Sequence, residues 1–314
     1  MNVRQTTVSV SPDLLSSVLR EARFESAAYR WLELGAPFRV RFDHPDLRGV
    51  HLVTRGACDL VLGDGTSVRL DPGDLVILPR GDAHELRSPG PAAASATSGF
   101  DLAMRTAGTR LRAGGPTVDT EVVCGAFLVG DADHPALSGL PRTIRLPGSD
   151  GRPAAWLAPL VDALTAEAAD GGPGSDLVMA RLSDAMLVRA LRHHSAAVDR
   201  PGWLAGLADP YVAAALAALH ADPAHPWTLA SLARTAGLSR AAFAARFTGR
   251  VGEPAMRYLQ ALRLRRARGL LRDERATVAA VAGQVGYTND VAFAAAFKRE
   301  FGLSPGVYRR SVTG

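Results

Sequence analysis

An α+β chain of two domains, strands first and helices last, is expected on three grounds. From Tyr29 to about residue 147, strand-sized runs such as YRWLEL, FRVRFD and GVHLVTRG alternate in character and are separated by turn residues. Beyond residue 205 the apolar period becomes helical. Within that helical part, one pattern of glycine, cap and phenylalanine occurs twice. The strand region is read as an antiparallel β-barrel, and the C-terminal region as all-α with two helix-turn-helix units.

At 314 residues the chain can bury two substantial cores, and 47% apolar with 21% charged residues is a globular mixture. MNVRQTTVSVSPDLL lacks the apolar core of a signal peptide, and no apolar run is long enough for a bilayer. A cytoplasmic location without membrane contact is therefore expected. Cys58 and Cys124 are too few for a disulfide framework. The net charge of +5 is uneven: residues 208–314 hold 15 Lys+Arg against 7 Asp+Glu, a local +8 that leaves −3 elsewhere. A positive surplus on the helical repeats points to nucleic acid.

The elements follow in order. SPDLLSSVLREARF reads as a short helix capped at Ser11, with Pro12 in its first turn. CDLVLG, SVRLD and DLVILP continue the strands, and GDGT (63–66) is a hairpin turn because Asp-Gly tolerates positive φ. TEVVCGAFLVG and TIRL complete a domain placed at 1–150. Two helices, Ala154–Ala168 and Asp176–His193, occupy a linking region at 151–204, with Leu177, Leu182, Leu187 and Leu191 among the apolar positions of the second. This pair is expected either to form a dimer interface or to cap the barrel.

The domain at 205–314 carries the repeat. In the unit at 277–301, Val278, Val281 and Val285 recur at helical spacing, Gly286 makes the turn, Asn289 caps, and Phe293, Phe297 and Phe301 line one face. In the unit at 228–249, Leu229, Leu232 and Ala233 form the first face, Gly237 turns, Ser239 caps, and Phe243 and Phe247 follow at the same offsets. The second helix of such a unit can enter a DNA major groove.

AGLSRAAFAARF (236–247), VGEPAMRYLQALRLRRARGLL (251–271) and VAGQVGYTNDVAFAAAFKREFGLSPGVYRR (281–310) resemble the DNA-binding domain of the AraC/XylS family of bacterial transcription regulators. GDLVILPRGDAH (73–84) resembles the second motif of the cupin superfamily, in which the strand is entered through Gly73 and left through Pro79-x-Gly81, with His84 re-entering the barrel. In metal-using cupins that histidine is a ligand. The stretch FDHPDLRGVHLVTRG supplies His44 and His51 but not the His-x-His and Glu of the first motif. The order of cupin-like barrel and DNA-binding domain is that of AraC-like regulators, in which the barrel senses or dimerises.

The resemblance implies a sequence-specific regulator that controls promoters in response to an effector. Its implied partners are double-stranded promoter DNA, a second copy in a homodimer, a small-molecule effector and, for an activator, RNA polymerase. The other readings are a metal-dependent cupin enzyme fused to a DNA-binding domain and an architectural DNA binder of low specificity. No catalytic residue is assigned.

On the recognition helices, Arg240, Ala241, Ala244 and Ala245 in the first unit and Asp290, Val291, Ala294 and Ala295 in the second should face the groove. Only Arg240 among them can take both guanine acceptors. Arg246, Arg250, Lys298 and Arg299 are expected on phosphates. The connecting helix at 257–274 is too arginine-dense for every arginine to reach DNA. If it is rigid, the two recognition helices stand about one DNA turn apart. In the barrel, His51, His84 and Cys124 are candidate effector or metal residues. Imidazole and thiolate would suit zinc, Cys124 could serve redox sensing with Cys58, and an organic ligand is the third reading.

Overall fold

A computed structural model of the chain describes residues 14–21, 24–90, 93, 95–106, 108–129, 140–197, 201–273 and 275–313. Two compact units divide it: Arg20–Ala197 is one, and Val198–Gly314 groups with the N-terminal residues up to Leu19 in the other. The helical pair expected as a separate linker at 151–204 thus falls largely within the barrel's unit. The expected cap Ser11 and Pro12 lie outside the described residues; the helix α1 is described over Leu14–Glu21, with Leu14, Leu15, Val18 and Leu19 buried.

The strands are β1 (Phe24–Gly35), β2 (Arg39–Phe42), β3 (Leu47–Arg55), β4 (Cys58–Leu62), β5 (Ser67–Leu70), β6 (Leu75–Leu78), β7 (His84–Arg87), β8 (Thr97–Ser98), β9 (Arg110–Gly114), β10 (Thr120–Val129) and β11 (Ile144–Leu146). They form two sheets, in the orders β11-β6-β3-β10-β1-β9 and β5-β4-β7-β2-β8. Inward residues of both sheets, among them Leu32, Val53 and Val122 from one and Val40, Leu60 and Leu86 from the other, share a single core. Alternation of buried and half-buried residues along β4 is the expected sign of a sheet with one face inward.

Pairing is antiparallel as expected, with two exceptions. β9 pairs parallel to β1, and β8 pairs parallel to β2. Helix α2 (Gly99–Arg105) follows β8 in the chain; each parallel pair joins strands separated by long stretches of chain, which permit parallel neighbours, whereas residue alternation carries no strand direction.

Local signals set several joints. Leu62 and Thr66 close the GDGT turn, with Gly65 at φ 86. Gly73 stands at φ 93, and an added Cβ would meet the Arg152 carbonyl oxygen at 2.3 Å, so only glycine fits. Buried Asp74 fixes this corner by accepting from the Asp71 and Gly148 backbone N–H groups and from Arg145. Helices α3 (Ala158–Asp170) and α4 (Ser175–Ala197) pack together, and α4 lies against β1 and β11 of the larger sheet.

The C-terminal unit contains α5 (Trp203–Ala208), α6 (Pro210–Ala221), α7 (Leu229–Thr235), α8 (Arg240–Val251), α9 (Ala255–Leu270), α10 (Val278–Gln284), α11 (Asp290–Phe301) and α12 (Pro305–Thr313). The pairs α7–α8 and α10–α11 are the two helix-turn-helix units, and α9 connects them. Both turns use a left-handed glycine: Gly237 at φ 66 and Gly286 at φ 83. Leu264 and Ala267 of α9 share a core with Val281, Val285, Phe293 and Phe297, so the connecting helix is part of the second unit's interior. Burying each such phenylalanine contributes about 1.5–3 kcal/mol.

Candidate nucleic-acid interface and barrel cavity

Each recognition helix begins at a cap that satisfies an otherwise orphaned backbone donor. Ser239 accepts from the Ala242 N–H at 3.3 Å, and Asn289 accepts from the Ala292 N–H at 2.9 Å. The preceding helices start equally firmly. Thr228 and Ser231 form a reciprocal capping box, and Thr277 accepts from Ala280. Phe243, Phe247, Phe293 and Phe297 are fully buried, which turns the opposite face of each helix outward.

On that outward face of α8, Arg240, Ala241 and Ala245 are exposed and Ala244 is half-buried. On α11, Asp290, Val291 and Ala295 are exposed and Ala294 is half-buried. Thr248, one helical turn beyond Ala244 and Ala245, is also exposed and adds a hydroxyl to the first face. Its i+4 spacing from Ala244 was the signal that could have singled it out.

The basic residues expected on phosphates divide into two kinds. Among the described residues, Lys298 and Arg299 form no ion pair. Arg246 and Arg250 instead turn to Asp209, at 2.7 and 3.5 Å, and the Arg246 guanidinium lies 4.7 Å over the Tyr211 ring. Asp209 is itself the cap of α6, accepting from the Tyr211 and Val212 N–H groups. Burial works against its ionisation, but Arg246 and these backbone donors outweigh burial and hold its pKa below the usual value. Asp209 stands 37 residues before Arg246, a separation that local sequence signals do not span.

Arginines of α9 are likewise partly structural. Arg263 donates to the carbonyls of Pro223 and His225, and the Arg268 guanidinium sits 5.0 Å over the Phe301 ring. Gly286 makes room there, since an added Cβ would stand 2.6 Å from the Ala224 carbonyl oxygen.

In the barrel, His51, His84 and Cys124 come together. His51 on β3 lies directly opposite Cys124 on β10, and His84 on β7 reaches from the other sheet. His51 Nδ1 is 3.0 Å from Cys124 Sγ, His51 Nε2 is 2.7 Å from His84 Nε2, and His84 Nδ1 is 2.8 Å from the Asp82 carbonyl oxygen. A carbonyl only accepts, so His84 carries its proton on Nδ1 and accepts at Nε2 from His51. His51 then accepts at Nδ1 from the Cys124 thiol. Phe42 stacks on His84 at 5.1 Å between ring centroids. Gly49 leaves the space, since a Cβ there would stand 2.9 Å from His84 Cε1.

The electrostatics suit a neutral chain. Burial, then the neighbouring His84, pushes the His51 pKa well down; burial lowers His84 against the opposing Asp82 hydrogen bond. Burial also pushes the Cys124 thiol well above its ordinary value, and the Cys58 thiol up to about 12. Both thiols therefore rest protonated at neutral pH, the less nucleophilic form. A zinc site needs several donors aimed at one point. His51 spends its two nitrogens on opposite neighbours, and among the described residues no group of three or more His, Cys, Asp or Glu side chains is arranged for a metal. The donors do not fit zinc as they stand.

His84 and Cys124 also line a cavity of about 260 Å³. Its walls are mainly apolar, from Leu32, Phe42, Phe100, Met104 and Leu111, while Arg30, Asp43, Arg48 and Asp82 supply charge. Among the described residues, no helix is long and apolar enough to cross a membrane.

Comparison with known proteins now adds identity to geometry. A cupin family profile matches residues 13–196, and a helix-turn-helix domain profile matches 232–311. The chain is 37% identical to an AraC-like transcription regulator of Streptomyces lividans, covering 96% of this chain and 99% of that one. It is 37% identical to another of Streptomyces antibioticus, covering 95% and 98%. It is 30% identical to the RCS-specific transcriptional activator RclR of Escherichia coli, covering 83% and 84%. With capped recognition helices in duplicate and full-length relatives of one kind, this chain belongs to the AraC-like transcription regulators, with a cupin domain ahead of its helix-turn-helix domain.

Proposed function

We propose that the chain binds promoter DNA sequence-specifically and changes its hold on that DNA when a small effector occupies the barrel cavity. The observation that carries this reading is the pair of exposed recognition faces, each capped and backed by two buried phenylalanines. Exposed Arg240 is read as the base-edge contact, and exposed Lys298 and Arg299 as phosphate contacts. The apolar cavity, lined in part by His84, whose contact with His51 joins the two sheets, gives the effector a site at which occupancy can favour one arrangement of the barrel.

The protein is read as a cytoplasmic homodimer. Exposed Leu177 and Val178 at the start of α4 support an interface there. An activating role through RNA polymerase draws its support from the relative named as an activator. The test is capture: full-length protein is incubated with fragmented genomic DNA of its source near physiological salt, with and without cell extract, and the retained fragments are sequenced. Enrichment of a few promoters with two half-sites about one helical turn apart is expected. Diffuse retention under both conditions would instead identify an architectural binder.

A further inference from the structure

We infer that the barrel cavity takes a small monocarboxylate with an apolar body, its head group held by Arg48. This deepens the effector reading above, and rests on it only for the consequence at DNA.

Arg48 lies on β3 and is only 7% exposed. Its Nη1 donates to the Pro45 carbonyl at 3.0 Å, while its Nε is buried without a partner. Among the described residues no carboxylate comes within 4.0 Å of its guanidinium. A buried charge without a counter-ion is costly, and the barrel's other buried charges are compensated. Glu85 is held by Arg39 and Arg87, and Asp74 by Arg145. Arg48 differs from these in facing a cavity. Arg30 lines the same cavity, and its Nε is also buried and unpartnered.

The planar guanidinium fork matches a carboxylate, and the apolar walls match a hydrocarbon or aromatic body. Asp82 sets the charge of the head. Its Oδ1 is engaged by Arg142 and its Oδ2 is buried without a partner; Asp43, which Arg41 pairs, also lines the cavity. A second negative charge there disfavours a dianion such as a phosphate monoester. A single carboxylate beside Arg48 supplies the counter-ion it lacks at the least electrostatic cost.

The experiment uses the full-length protein and three probes of equal chain length: octanoate, 1-octanol and octyl phosphate. Calorimetry is expected to give octanoate the highest affinity, with 1-octanol weaker by about tenfold or more, the loss of one charged hydrogen-bond set. Arg48→Met should reduce octanoate binding by about tenfold or more and leave 1-octanol unchanged. Its unfolding midpoint without ligand should equal or exceed that of the unsubstituted protein, because an uncompensated buried charge is gone. Should Arg48→Met fail to fold, Arg48→Lys decides: intermediate affinity for octanoate supports the assignment, and unchanged affinity overturns it. Equal binding of octanoate and 1-octanol, tighter binding of octyl phosphate, or no binding of any probe also overturns it. Octanoate binding that leaves promoter retention unchanged would remove the sensing role and keep the carboxylate site.

Discussion

The two helix-turn-helix units share a frame and differ at the surface turned outward. Ser239 and Asn289 cap in the same way, and the Phe243–Phe247 and Phe293–Phe297 ring pairs are 5.5 and 5.7 Å apart. Yet α8 opens with Arg240 and α11 opens with Asp290 followed by Val291, which is 79% exposed. An aspartate suits the positive end of a helix dipole but repels phosphate. Basic residues at the far ends differ too: Arg246 and Arg250 are engaged by Asp209, whereas Lys298 and Arg299 form no ion pair among the described residues. A frame fixed by caps and buried rings leaves the outward residues free to diverge. Under the proposed function, base readout is expected of the first unit and phosphate affinity of the second.

The largest expected effects test the shared frame. Phe243→Ala and Phe293→Ala should each cost about 3–5 kcal/mol in denaturant unfolding. A cost below about 1 kcal/mol at either site would break the equivalence, since it would mean that ring is not a core member. The next effect tests the asymmetry. Arg240→Ala should weaken promoter binding by about 1–3 kcal/mol and relax sequence preference, with Asp290→Ala and Val291→Ala far milder. Competition between specific and scrambled duplexes measures this, and equal losses at the three sites would remove the asymmetry.

Asp209→Asn keeps a capping side chain but breaks the charge pair, and should cost about 1 kcal/mol, discounted for the solvent exposure of Arg246. Because the folded Asp209 pKa is lowered, its contribution is fully present above the ordinary aspartate value. It is lost as pH falls through the lower folded value. The stability gap between the two proteins should therefore close on acidification; a gap that widens in acid would contradict the pairing. The smallest effect concerns salt. Lys298→Ala should lower the slope of log affinity against log salt by about one, while Arg250→Ala leaves it unchanged. A slope that falls for Arg250→Ala and not for Lys298→Ala would reverse the assignment.

Much of the C-terminal domain could be read from spacing because its determinants are local. A cap bonds three residues ahead, a turn glycine acts on its own φ, and phenylalanines four apart share a face. The barrel was legible in its hairpins and in the Gly73–His84 motif for the same reason. Its parallel pairings β1–β9 and β2–β8 were not, since alternation is blind to strand direction. His51, His84 and Cys124 were named as candidates, but no spacing could order them into a chain that ends on the Asp82 carbonyl.

Residue identity alone thus settled where the four helices of the two repeats are capped and turned, which of their faces are apolar, and that positive charge accumulates in the last third of the chain. Packing settled which charges are spent. Arg246 finds a carboxylate 37 positions away, and Arg48, in an equally ordinary sequence setting, finds none among the described residues. Counter-ions are chosen through space, at distances of a few ångströms that sequence separation does not encode.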